Sequence, residues 1–283
     1  MRVDTGCGGV GWSAATVLEA RCAPVKHEEA VLEEAAVSLV INGAPYAVMM
    51  ATPDHLEDFF RGFLWSEGVL RSLAEIVAWE AVQVAEGWAI YLQLADAAAA
   101  RVARKRRHII GGSACGLCGT PCFRGLVPFT PIRRALWLDA DVIHDLLAQM
   151  QARQALNRHT GTAHAAILAR PQSDLVREDI GRHNAVDKAV GAALEQGWAR
   201  DEAVMLGVSS RLTFEMVLKA LGFGVPIVAA ISGVSSLAIQ VADSHGLTLI
   251  GYTRDARMTV YAHGERIRGC TPARPRVAMP CLK

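Results

Sequence analysis

The residues most able to do covalent chemistry are Cys115-Gly-Leu-Cys118-Gly119. A thiolate is both a nucleophile and a soft metal ligand, and a second thiol three residues away, with cations nearby, lowers the pKa of the first. Glycines on both sides leave the backbone free to present the sulfur to two partners in turn. The spacing fits a redox dithiol, half of a metal site, or a carrier of persulfide sulfur. Cys122 adds a third thiol within eight residues, which keeps a zinc knuckle open. A second Cys-x-x-Cys, which would make zinc specific, does not occur. Just before the loop, residues 101–107 hold five cations in seven positions, either a solvated face or a patch that attracts an anion or steadies a thiolate.

A second group of candidates lies in the loops of the chain's second half. Arg177-Glu-Asp-Ile-Gly-Arg-His183-Asn-Ala-Val-Asp-Lys188 joins an expected strand to an expected helix. That is where open α/β sheets build their sites. Its plainer reading is a polar connection in which Asp179 or Asn184 caps the helix. Ser209-Ser210-Arg211 and Ser232-Gly-Val-Ser235-Ser236 each follow a strand and open a helix, and hydroxyls with free N–H groups at helix N-termini favour phosphate. Either run alone is equally a helix cap. Tyr252-Thr253-Arg254-Asp255-Ala256-Arg257 offers two arginines and an aromatic ring, a set that can clamp a diphosphate and stack a base. His164 and His263 have no visible partners and read as structural or surface residues.

These groups need a scaffold. The chain has 283 residues, 52% hydrophobic and 20% charged, with a net charge of +1. Such a chain folds without staples, and its charge gives no global attraction to nucleic acid. The longest apolar stretch, 225–242, is broken by Pro226, Gly233, Gln240 and three serines, so no membrane span is expected. The first thirty residues show no signal-peptide pattern, and seven cysteines at irregular spacing fit a reduced, cytoplasmic protein.

Residues 1–27 read as a loose tail. Residues 28–137 read as a β-rich subdomain carrying the cysteine loop at 108–125. It opens with a hairpin over 35–50 turning on Asn42-Gly43, followed by a helix capped by Thr52 with Pro53 at its first position. Two strands follow near 75–84 and 88–94. Residues 138–268 read as an α/β subdomain, beginning with a helix from Asp139 or Asp141 to about Asn157. Strands are expected at 163–169, 174–180, 203–208, 225–231, 247–252 and 258–262, with helices at 183–196, 211–221 and 235–245. The later strand–helix–strand units predict a mostly parallel sheet. Residues 269–283 read as a tail.

Several of these stretches together resemble the formate dehydrogenase accessory sulfur-carrier family (FdhD/NarQ). They are Glu34-Ala-Ala-Val-Ser-Leu-Val-Ile-Asn-Gly, Ala47-Val-Met-Met-Ala-Thr-Pro-Asp-His-Leu-Glu-Asp-Phe, Cys115-Gly-Leu-Cys-Gly, Thr162-Ala-His-Ala-Ala, Val176-Arg-Glu-Asp-Ile-Gly-Arg-His-Asn-Ala-Val-Asp-Lys, Val208-Ser-Ser-Arg and Gly246-Leu-Thr-Leu-Ile-Gly-Tyr. The resemblance spans about residues 28–267. It implies a three-layer, cytidine-deaminase-like α/β fold with a mixed sheet, usually as a homodimer. It implies a carrier that takes persulfide sulfur from a cysteine desulfurase and passes it to a molybdenum or tungsten bis(molybdopterin guanine dinucleotide) cofactor. That cofactor is destined for formate dehydrogenase, and a guanine nucleotide would mimic it. Cys115 falls on the family's persulfide position, Cys118 on its supporting cysteine, and 252–257 on its cofactor-binding stretch. Ser209, Ser210, Arg211, Ser232 and His183 join that stretch as candidate cofactor contacts. Asp255 and Ala256 stand where family loops are often glycine-rich. Two other readings are a cofactor-binding chaperone that moves no sulfur and a zinc nucleotide deaminase. The deaminase signature of His-x-Glu and Pro-Cys-x-x-Cys is not met, because His183-Asn-Ala lacks the glutamate and Pro121-Cys122 lacks the second cysteine.

Overall fold

A computed structural model describes residues 9–17, 24–106 and 129–269. The cysteine loop, with Cys115, Cys118 and Cys122, lies outside the described residues, as do 1–8, 18–23 and 270–283 of the expected tails.

The first described elements are β1 (Val10–Val17) and β2 (Val25–Leu32), an antiparallel pair in register from Val10↔Leu32 to Val17↔Val25. Residues 10–17 are therefore a strand where a loose tail is expected. No residue of β1 is fully buried, so it shows no alternation of buried and open positions, and its partner lies downstream.

β3 (Ala35–Ile41) and β4 (Ala44–Ala51) form the expected hairpin. Asn42 and Gly43 take φ of 48° and 77°, the pair of left-handed residues a tight hairpin turn requires. After α1 (Leu56–Ser66), β5 (Ile76–Val84) and β6 (Gly87–Leu94) complete a four-stranded sheet in the order β4-β3-β6-β5. Phe59, Phe60 and Leu64 of α1 pack on Leu39 and Ile90 of that sheet. Thr52 does not cap α1. The N-cap is His55, in the left-handed region at φ 51°, and Thr52 is buried with longer-range partners. α2 (Asp96–Arg106) carries most of the basic run. Arg101 within it is already paired with Glu75 at 2.5 Å.

After the short β7 (Leu138–Asp139), the helix expected as far as Asn157 divides into α3 (Ala140–Ala152) and α4 (Ala155–Thr160). The Glu178 carboxylate accepts the N–H groups of Leu156 and Asn157, both at 2.9 Å, which gives α4 its own anchored N-terminus.

The remaining elements are β8 (His164–Arg170), β9 (Ser173–Asp179), α5 (Arg182–Glu195), β10 (Met205–Val208), α6 (Phe214–Phe223), β11 (Ile227–Ala230), α7 (Ser236–Ser244), β12 (Thr248–Arg254), β13 (Arg257–Ala262) and β14 (Ile267–Arg268). They build a six-stranded sheet in the order β13-β12-β11-β10-β8-β9, and β14 pairs with β7. Within this sheet only β10, β11 and β12 run parallel to one another. β8, β9 and β13 add antiparallel pairings, so the sheet is mixed rather than mostly parallel. The reason is local: β8–β9 and β12–β13 are joined by two-residue turns, which only antiparallel strands allow. One face packs Ala185, Val186, Val217 and Ala238 of α5, α6 and α7 against Leu168, Leu206 and Val228. The other packs Ile143, Leu147 and Met150 of α3 against Ile167, Met205 and Ile227.

Helices α1 and α5 cross backbone to backbone. A Cβ on Gly62 would lie 1.7 Å from the Asp187 carbonyl oxygen, and one on Gly191 would lie 1.9 Å from that of Asp58, so only glycine fits at either point. This crossing ties the four-stranded sheet to the six-stranded one. Arg177 Nε reinforces it by donating to Asp58 Oδ2 at 2.8 Å.

Candidate functional site

The sheet register gathers the predicted loops at one end of the six-stranded sheet. Val208 stands opposite Ala166 and Ala230, Ala229 opposite Ile250, and His164 opposite Asp179. The segments beginning at 209, 231 and 251, together with His164 and 179–183, therefore share one edge. Ligand clefts of open α/β sheets form at such edges.

At its β12 end the edge carries Tyr252. This residue sits in the left-handed region at φ 53°, strained for an aromatic side chain. Its N–H donates to the Ser232 carbonyl at 2.9 Å. Its hydroxyl lies where a Cβ on Gly233 would approach to 2.7 Å, so the ring covers that glycine while staying 45% exposed. Arg254 and Arg257 pair across the β12–β13 turn, and both are exposed. Asp255 and Ala256 form the turn with φ of 52° and 53°, a conformation that favours glycine. Thr253 faces inward, buried, and its hydroxyl has no hydrogen-bond partner among the described residues. The 252–257 stretch is thus an exposed aromatic and two arginines on a hairpin tip, with one inward-facing residue.

The serine runs divide. Ser235 caps α7, its Oγ accepting the Ala238 N–H at 3.3 Å, and Ser232 contributes its carbonyl to Tyr252. Ser209 and Ser210 do not open a helix, because α6 begins at Phe214 behind the N-cap Thr213. Ser209 Oγ instead accepts the Ala165 N–H at 2.9 Å, extending the β8–β10 ladder. Ser210 is buried, and its hydroxyl donates to the Arg211 carbonyl. The Arg211 side chain projects outward and is exposed.

At the β9 end, the 177–188 motif performs two jobs. Asp179 and Lys188 form an ion pair at 2.7 Å with both side chains 0% exposed. Asp179 also accepts N–H groups from Thr52 and Gly181 and the Asn184 amide, at 2.7–3.1 Å. Lys188 also donates to the Thr52 carbonyl at 3.0 Å, and Asn184 to the Met50 carbonyl at 2.8 Å. Neither Asp179 nor Asn184 caps α5, whose N-cap is Gly181.

His183, next along, is buried. Its Nε2 stands 3.8 Å from Glu215 Oε2, with no hydrogen-bond partner among the described residues. Burial, then the Lys219 and Arg182 charges, push its pKa down to about 4 against the pull of Glu215, so it is neutral at physiological pH. His164, read from sequence as structural or surface, belongs to the same edge. Burial, then the nearby Arg182 and Arg211 charges, push its pKa down, with Asp179 opposing. Arg182, inside the 177–188 motif, belongs to this edge as well, although its residue type alone does not mark it. The signal for both was positional: His164 begins a strand, and Arg182 opens a helix on the same edge.

Among the described residues no group of three or more His, Cys, Asp or Glu side chains is arranged to hold a metal ion. No helix among them is long and apolar enough to cross a membrane. The edge offers exposed arginines, neutral histidines and an aromatic face, which suits a planar, anionic ligand.

The profile of the FdhD/NarQ family matches residues 32–268. A sulfur carrier protein FdhD from Cupriavidus necator is 40% identical over 241 residues, covering 84% of this chain and 83% of the relative. One from Xanthomonas axonopodis pv. citri is 39% identical over 245 residues, 85% and 86% of the two chains. Among solved structures, a putative formate dehydrogenase accessory protein from Desulfotalea psychrophila superposes with a TM-score of 0.71 at 25% identity, covering 91% of this chain and 99% of the other. With the motif order and the mixed α/β architecture, these matches establish that the chain belongs to the FdhD/NarQ family.

Proposed function

We propose that the protein is a sulfur carrier serving the maturation of formate dehydrogenase. The observation that carries this reading is the 40% identity, over most of both chains, to a sulfur carrier protein FdhD, combined with the Cys115-x-x-Cys118 pair. In this reading the Cys115 thiolate attacks the outer sulfur of a cysteine desulfurase persulfide. The donor's S–S bond breaks, its cysteine leaves as a thiolate, and Cys115 holds the new persulfide. Delivery breaks the Cys115 S–S bond, and Cys115 returns as a thiolate. The acceptor supplies the electron pair that turns sulfane sulfur into sulfide, and Cys118 supports the exchange. The acceptor is a molybdenum or tungsten bis(molybdopterin guanine dinucleotide), carried as cargo to the formate dehydrogenase apo-enzyme.

The sheet edge is the cargo site in this proposal. Tyr252 supplies a face for a guanine ring, and Arg254, Arg257 and Arg211 supply charge for phosphates. A cytoplasmic homodimer is the assembly proposed. Intact-protein mass spectrometry after incubation with a cysteine desulfurase and cysteine tests the carrier step. A reducible gain of one sulfur on the wild type, absent from Cys115→Ala, is expected. No gain on the wild type would overturn it, and bound zinc in the native spectrum would assign the cysteines to a metal site.

A further inference from the structure

Two arginines and two histidines meet at the β8–β9 end of the edge, where Glu215 is the acid that faces His183. His164 starts β8 opposite Asp179. Ser209 binds Ala165, the next residue along, through both its N–H and its hydroxyl, which sets the 209–211 loop beside His164. Arg182 opens α5 three residues after Asp179. The charges of Arg182 and Arg211 both reach the His164 imidazole, and that of Arg182 also reaches His183 and Glu215.

Three of the acids nearby are already paired with cations. Asp179 is held by Lys188 at 2.7 Å, Asp58 by Arg177 at 2.8 Å and Asp187 by Lys219 at 2.6 Å. Glu215 accepts the Thr213 hydroxyl at 2.7 Å and stands 3.8 Å from His183, so its one negative charge offsets only part of the two guanidinium charges. Arg182 Nε and His183 Nε2 are buried without hydrogen-bond partners among the described residues, and His183 is only 9% exposed. Among the described residues no side chain caps α5, which leaves N–H groups of its first turn open beside Arg182. A buried donor left open is costly, and a guanidinium most of all. An anion would satisfy the arginines, the imidazoles and the helix end together.

We infer that Arg182, Arg211, His164 and the first turn of α5, with His183 behind them, form a seat for a phosphate or similar tetrahedral oxyanion, distinct from the Tyr252 face. An extended ligand then lies across the edge, its planar ring at β12 and an anionic group at β8. The order β12-β11-β10-β8 separates the two by three strand spacings, about 14 Å. This rests on reading the edge as the ligand site, and it adds which end takes which group.

Inorganic pyrophosphate and guanosine carry the two chemistries separately. Each is titrated calorimetrically into the intact wild type, Arg182→Gln, Arg211→Gln and Tyr252→Ala. Pyrophosphate is expected to bind the wild type and Tyr252→Ala alike, and about tenfold or more weaker in either arginine variant. Guanosine is expected to lose affinity only in Tyr252→Ala. The seat is overturned if pyrophosphate fails to bind the wild type at millimolar concentration, or binds both arginine variants as tightly. It is also overturned if Tyr252→Ala weakens pyrophosphate equally. If Arg182→Gln melts early, the exposed Arg211→Gln carries the test. Guanosine failing to bind the wild type would overturn the assignment of the ring to β12 while leaving the anion seat standing. Persulfide loading of Cys115 is read in a separate assay, so the carrier proposal stands or falls on its own result.

Discussion

Within ten residues of one motif, polar and charged side chains meet opposite fates. Asp179 and Lys188 are wholly buried and satisfied by each other, by Thr52 and by Asn184. Arg182 and His183, between them in sequence, are left with open nitrogens. The first pair fastens β9 and α5 to the β4–α1 junction. The second points to where a ligand would complete the bonding. A charge the protein satisfies internally is architecture, and a charge it leaves open is evidence of something else that fills it. Residue type alone does not separate the two.

The comparison can be broken most forcefully on its closed side. Lys188→Met leaves Asp179 buried without its cation, and a loss of about 3–5 kcal/mol is expected in urea unfolding. A loss under about 1 kcal/mol would mean the pair is not architectural. Gly191→Ala drives a Cβ into the Asp58 carbonyl at 1.9 Å, and the displaced crossing should lose about 1–3 kcal/mol by the same measurement.

Smaller effects sharpen the open side. With a folded pKa of about 4 against an ordinary 6.5, His183 favours the unfolded state as it takes up a proton. Its contribution to stability is complete above pH 6.5 and is lost as pH falls toward 4. The slope is at most about 1.4 kcal/mol per pH unit. His183→Gln should remove that part of the slope, seen by comparing unfolding midpoints of the two proteins across this range. Ala256→Gly should stabilise by about 0.4–1 kcal/mol through relief of its positive φ, read as a higher melting temperature.

Much of the scaffold was legible in the chain because its signals are local. Asn42-Gly43 announced its hairpin, and the later strands announced themselves as short apolar runs between loops. Partners distant in sequence were not legible. Thr52 has the chemistry of a helix cap, yet its N–H and hydroxyl bond the Asp179–Ile180 segment more than 120 residues away. Glu178 splits a helix from 21 residues downstream. At the site, the strand-end loops were found because crossovers place them on one edge. His164 is not legible as a site residue from sequence because its neighbours come from β9, α5 and the loop after β10.

The central claim, that the open edge and not the closed network meets the ligand, is tested most directly by thermal unfolding with and without guanosine diphosphate. Wild type should melt at higher temperature as the nucleotide is added. Arg182→Gln should keep its ligand-free melting temperature, within about 0.5 kcal/mol of stability, and lose most of the nucleotide-induced rise. A full rise in Arg182→Gln, or none in the wild type, would contradict the account.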